Sequence, residues 1–140
     1  MEIDRKQLKL DVFKDICLRL SDLSYDPNYH VASIIFTDDF REICAIGFNG
    51  NFKNGPHERD SLVAGQSGFL HGEENALLHL TRPFELRDNL IMMCTHRPCP
   101  MCAKRIVNAN IKRVYYIHEY DRLGDSQHIF DVSNVQIMKV

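Results

Sequence analysis

His71 and Glu73 are separated by one residue, and Cys99 and Cys102 by two, in a chain of 140 residues. One imidazole and two thiolates form a nitrogen and sulfur donor set of the kind that holds zinc. Three protein ligands leave one position of a tetrahedral site open to water, whereas a structural zinc site is closed by four. Glu73 is not needed as a ligand, so it is available to carry protons in a reaction that consumes water. The combination predicts a catalytic metal centre.

Each half by itself has a plainer reading. A His near a helix start is commonly an ordinary surface or core residue, and Cys-x-x-Cys in a reducing compartment serves equally as a thioredoxin-like dithiol. Against the dithiol stand the absence of Trp, the Pro100-Met101 pair between the cysteines, and a His-x-Glu left with no part to play. Taken whole, His-x-Glu followed by Pro-Cys-x-x-Cys is the pattern of zinc enzymes that exchange the amino group of a nucleobase for oxygen.

Composition narrows the setting. The length and a 44% hydrophobic content predict a single domain, residues 1–140, with one core. A net charge of -2 supplies no general basic field for nucleic acid, so an anionic ligand would need a local cluster of cations. Residues 1–10 alternate charged with apolar side chains and lack a signal core, and no apolar run approaches the length of a membrane span. The expected location is cytoplasmic. Of five cysteines, Cys99 and Cys102 are taken by the metal. Cys17, Cys44 and Cys94 lie in apolar stretches and read as buried thiols without disulfides.

Periodicity predicts the elements that carry these residues. Over 4–23, Leu8, Val12, Phe13, Ile16, Cys17, Leu20 and Leu23 recur at three- and four-residue steps, the pattern of an amphipathic helix lying on a sheet. Residues 31–36 and 42–48 read as a strand pair, 73–80 as a helix stopped by Pro83, 89–94 as a third strand and 99–110 as a third helix. A fourth strand at 112–117 is reached through that helix, which makes it parallel to the third. A short helix at 125–130 and an edge strand at 132–140 complete an α/β chain, a three-layer α/β/α arrangement with a mixed central sheet. Cysteines at a helix start lie in the positive end of the peptide dipole, which favours thiolate, and Pro98 and Pro100 stiffen that turn at little cost.

Four stretches in order carry a resemblance to a family: 24–32 (SYDPNYHVA), 47–50 (GFNG), 71–76 (HGEENA) and 98–104 (PCPMCAK). Together they resemble the deoxycytidylate deaminases, over about residues 24–120. The resemblance implies a cytidine-deaminase-like fold, conversion of dCMP to dUMP, one catalytic Zn2+ per subunit, a homo-oligomer (often a hexamer), and regulation by dCTP and dTTP. It also implies His71, Cys99 and Cys102 as metal ligands, Glu73 as the proton carrier, Asn49 against the sugar, Ser24 toward the phosphate and Tyr120 near the pocket. Plainer readings stand beside the last three: a turn residue in Asn-Gly, a turn before Pro27, and packing at a strand end.

The chain departs from the family at several positions. Gly72 stands where Ala is usual, Ala32 where Gly is usual, and the loop after Gly50 reads Asn51-Phe52-Lys53-Asn54-Gly55 before its first proline. That loop puts nucleotide feedback in question. Gly72 either eases the helix start or enlarges the pocket beside the pyrimidine and admits 5-substituted dCMP. Residues 49–70 form a long connection without periodicity, the kind that is usually functional or disordered. Lys53, His57 and Arg59 within it, with Arg97, offer a phosphate clamp or simply solvated charges.

The expected activity is therefore zinc-dependent hydrolysis of dCMP, or of a 5-substituted dCMP, to the uracil nucleotide and ammonia. The alternatives are a deaminase of another free base (guanine included), of a nucleoside or of a polynucleotide base, and a non-catalytic zinc-binding regulatory protein. Mild acidity weighs against the polymer, and Glu73 against the regulatory protein.

Overall fold

The computed structural model describes residues 2–140; Met1, the first residue of the charged N-terminal stretch, lies outside them. Helix α1 spans Arg5–Ser21, with Asp4 as its cap: the carboxylate accepts from the backbone N–H groups of Lys6 and Gln7 at 3.0 and 3.2 Å. Strands β1 (Ala32–Thr37) and β2 (Ile43–Phe48) form an antiparallel hairpin. Helix α2 is Gly72–His79, β3 is Leu90–His96 and α3 is Pro100–Asn108. Strand β4 (Arg113–His118), helix α4 (Gln127–Val132) and strand β5 (Gln136–Lys139) follow. A 3-10 turn at Phe84–Leu86, which carries no periodic signal, precedes β3.

The five strands form one mixed sheet in the order β2-β1-β3-β4-β5. β1 is antiparallel to both neighbours, while β3 with β4 and β4 with β5 are parallel. Alternation along the strands sorts the core into two faces. Ile34, Phe36, Ile91, Met93 and Ile117 pack with Cys17 beneath α1. Ile35, Leu90, Met92, Cys94 and Val114 pack with Ala76, Ile106 and Phe130 beneath α2, α3 and α4. Because β3 is central and covered on both sides, residues 90–95 are buried continuously. The three layers and the mixed sheet match the expected architecture.

Differences from the sequence reading lie at edges. The buried line of α1 runs through Leu10, Phe13, Cys17 and Leu20, leaving Leu8 at 38% and Val12 at 45% exposure. The apolar stripe is wider than the strip that the sheet can cover. The last strand is shorter than expected because α4 runs on to Val132 and the chain then turns at Asn134 with φ 57. Cys44, on edge strand β2, is half-buried, unlike Cys17 and Cys94. Among the described residues, no helix is long and apolar enough to cross a membrane.

Candidate active site

Two helix starts converge on one point. His71 is the N-cap of α2 and Cys99 the N-cap of α3, each with extended backbone angles; Glu73 and Cys102 fall within the first turns that follow. His71 is placed by the residue before it, since Leu70 and Gly50 exchange backbone hydrogen bonds of 2.8 and 3.1 Å just beyond β2. The backbone N–H of His71 donates to Glu74 Oε1 at 3.1 Å, and Arg105 of α3 reaches Glu74 at 3.3 Å, tying the two helices together. Asn75 of α2 donates to the Phe48 carbonyl of β2 at 2.9 Å.

Helix α2 also lies unusually close to the hairpin. A Cβ on Gly47 would stand 2.2 Å from the Ala76 nitrogen and 2.3 Å from the Gly72 carbonyl oxygen, so any side chain there would lift α2 together with His71 and Glu73. Gly47 is thus a requirement of the site even though it does not line the cavity.

The imidazole and the two sulfurs lie within 4.8 Å of one another. His71 Nδ1 is 3.7 Å from Cys99 Sγ and 3.3 Å from Cys102 Sγ. Tetrahedral bonds of about 2.3 Å to sulfur and about 2.0 Å to nitrogen put ligand atoms roughly 3.5 to 3.8 Å apart, so the cluster fits zinc in donor type and in spacing. The Cys102 thiol and His71 hydrogen-bond to Cys99 and hold its thiol down to about 4. Cys102, the donor of that bond, is raised. The His71 imidazole is raised chiefly by its bond to Cys99.

Glu73 is 4% exposed, and burial raises its carboxyl to about 7 despite the neighbouring His71. Cys17 and Cys94 are near enough to feel its charge. Burial, reinforced by the Glu73 charge, raises both thiols, Cys17 to about 12, which keeps them neutral.

The cluster opens into a cavity. His71, Glu73 and Cys99 form its floor, and Asn49, Arg59, Gly72, Arg97 and Tyr120 are in its walls, along with Asp26, Tyr29 and His96. Ser24 is not in the wall. It stands behind Asn49, its hydroxyl against Asn49 Oδ1 and 3.3 Å from the Tyr29 carbonyl. Asn49 is itself fully bonded: Nδ2 donates to the Tyr29 carbonyl at 2.8 Å and reaches Asp26 at 3.4 Å, while Oδ1 also accepts from Val31 N–H at 3.1 Å.

Of the expected phosphate clamp, Lys53 is exposed and His57 stacks on Tyr25 outside the cavity, with ring centroids 3.8 Å apart. Arg59 does line the cavity, pairing with Asp26 at 2.6 Å and donating through Nε to the Ser61 carbonyl at 2.9 Å. That pair anchors the long loop, which also contributes Ala64, Gly65 and Ser67 to the cavity lining, as the segment after β4 contributes Leu123. Gly65, at φ 80, touches Leu123 where a Cβ would stand 2.7 Å away.

Arg97 donates to Tyr116 Oη at 3.2 Å and to Gln127 Oε1 at 2.5 Å, bracing β4 and α4 against the turn that carries Cys99. Gly72 lines the cavity, but a Cβ there would point at Ala32 Cα and the Val31 carbonyl, both 3.3 Å away. Its missing methyl therefore makes room for β1 rather than for a ligand.

Sequence reasoning missed Asp26, Tyr29 and His96 as wall residues. Asp26 entered the sequence reading only as part of the 24–32 stretch, with no role of its own. Tyr29 and His96 had no spacing to mark them, since Tyr29 meets Tyr120 (5.9 Å between centroids) and Tyr120 meets His96 (6.1 Å) across the fold.

The family model for the cytidine and deoxycytidylate deaminase zinc-binding region matches residues 9–118. The chain belongs to this family. It is 30% identical over 118 residues to ComE operon protein 2 of Bacillus subtilis, a match covering 81% of this chain but 61% of that protein. It is also 31% identical over 128 residues to an uncharacterized deaminase in the luxG 3' region of Aliivibrio fischeri, with 81% of each covered. Among solved structures, the dCMP deaminase of cyanophage S-TIM5 in complex with dCMP and dUMP superposes with a TM-score of 0.78 at 28% identity. That match covers 99% of this chain and 100% of the phage chain. Family and donor set together identify zinc as the metal of this site.

Proposed function

We propose that this protein is a hydrolase that deaminates dCMP to dUMP, with His71, Cys99 and Cys102 as the zinc ligands and Glu73 as the catalytic acid and base. The observation that carries the reading is Glu73: a buried carboxyl, raised to about 7, beside a three-ligand cluster in the floor of a cavity. The likeness to a dCMP deaminase over the whole chain supports the substrate class. Bound there, zinc would make a water acidic enough to lose a proton near neutral pH. Glu73 accepts that proton and delivers it to N3 of the cytosine as the water oxygen bonds to C4; it then takes the second proton, from the new C4 hydroxyl, and gives it to the amine, which leaves as ammonia while the C4 carbonyl forms. Its raised carboxyl suits both directions of transfer. Asn49 and Tyr120 bound the sugar end of the cavity, with Ser24 holding Asn49 from behind.

The same reading includes a cytoplasmic homo-oligomer, a hexamer by family resemblance, with dCTP and dTTP as candidate regulators. It also includes tolerance of a 5-substituent, acting through Val31 in the cavity wall against which Gly72 packs. Ammonia release by zinc-loaded protein, compared across dCMP, dCTP, deoxycytidine, CMP and guanine, tests the substrate. dCMP is expected to be preferred over deoxycytidine by orders of magnitude in kcat/KM. Preferential turnover of guanine, or release from none of the five, would overturn it.

A further inference from the structure

Two arginines line the cavity and a third, Arg122, adjoins it through Tyr29, and their charges are committed differently. The Arg59 side chain is 6% exposed and bound to a carboxylate, Asp26, that is itself 4% exposed. Arg59 is already neutralised by a buried partner, and drawing it away would leave Asp26 buried without one, which is strongly unfavourable. Arg97 meets two carboxylates, Glu119 at 3.7 Å and Asp125 at 3.8 Å, in addition to Tyr116 and Gln127. Arg97 therefore already stands between two carboxylates, which lowers the attraction it can offer an anion.

Arg122 is different. It is exposed, and it makes no ion pair among the described residues. Its guanidinium carbon lies 5.3 Å over the ring of Tyr29, and Tyr29 lines the cavity, as do Tyr120 and Leu123 on either side of Arg122 in sequence. A cation–π contact with a ring face holds the guanidinium without using its N–H groups, which can grip phosphate with two parallel bonds.

We propose that Arg122, held at the cavity mouth by Tyr29, is the residue that reads the 5'-phosphate of the substrate, and that Arg59 and Arg97 are positioning residues. The proposal rests on the dCMP reading above. It places the base at the His71 and Cys99 floor and the phosphate beside Tyr120 and Leu123.

The test uses the full-length, zinc-loaded protein. kcat/KM is measured for dCMP and deoxycytidine, and calorimetry gives Kd for dUMP and deoxyuridine. Arg122→Ala is expected to lower the dCMP-to-deoxycytidine ratio about 10- to 100-fold and to weaken dUMP relative to deoxyuridine by a similar factor, with Arg122→Lys recovering part of both. A wild-type protein that strongly prefers dCMP, with a ratio unchanged in Arg122→Ala, overturns the role of Arg122 and leaves the dCMP reading standing. Equal wild-type turnover of nucleotide and nucleoside overturns both.

Discussion

At the floor of the cavity, His71 and Cys99 each cap a helix, whereas in the wall around it Asp26, Asn49 and Arg59 come from separate loops and form a buried rim held together by side-chain bonds. The floor inherits its geometry from backbone: α3 follows β3 after a short turn, and the start of α2 is pinned by the Gly50 and Leu70 bridge. The rim depends on a polar lattice in which Asn49 has no bonding capacity to spare and Arg59 is neutralised by Asp26. A site built this way separates two tasks. Reacting groups sit on elements that cannot drift, and the walls that meet the variable part of a ligand sit on a loop that can be altered without moving the chemistry.

The largest effect is expected at the floor. Glu73→Gln should keep zinc content and fold, by metal analysis and circular dichroism, while lowering kcat by about 100- to 10,000-fold. A fully active variant would remove Glu73 from the chemistry and leave the floor without its acid and base. Cys99→Ala should abolish stoichiometric zinc binding, and chelation of the wild-type metal should stop ammonia release. A metal-free protein that still turns over would contradict the assignment of the cluster.

Breaking the rim should read out differently. Asp26→Asn removes the charge partner of a buried arginine and is expected to destabilise the protein by about 3 to 5 kcal/mol in denaturant titration. Residues 59–67 should become more sensitive to protease, and the residual enzyme should show a raised KM more than a lowered kcat. If Asp26→Asn instead mimics Glu73→Gln, falling in kcat alone with stability unchanged, the division between floor and rim is wrong.

The smallest effect is expected at the seam between the regions. Gly72→Ala forces a methyl to within 3.3 Å of Ala32 Cα and the Val31 carbonyl, and should cost about 1 kcal/mol, seen as a Tm lowered by a few degrees. Its kcat/KM ratio for 5-methyl-dCMP over dCMP measures whether the shift of Val31 reaches the pyrimidine. An unchanged ratio would confine Gly72 to packing.

The chain order of residues determined the donor set, the elements and their layers. Zinc chemistry is carried by residue type and short spacing, and helices and strands announce themselves by apolar periods that survive without knowledge of partners. For the same reason the parallel pairing of β3 with β4 was readable, since a helix between two strands leaves few alternatives.

Only the tertiary structure decided which charges are free. Arg59, Arg97 and Arg122 look alike in sequence, and what separates them is whether Asp26, Glu119 or Asp125 arrives beside each guanidinium from elsewhere in the fold. Gly72 likewise gained its meaning from β1, which folds against it from about forty residues away in sequence. Such contacts depend on three-dimensional neighbours of low periodicity, and the loops that supply them are positioned by side-chain bonds that no local pattern encodes.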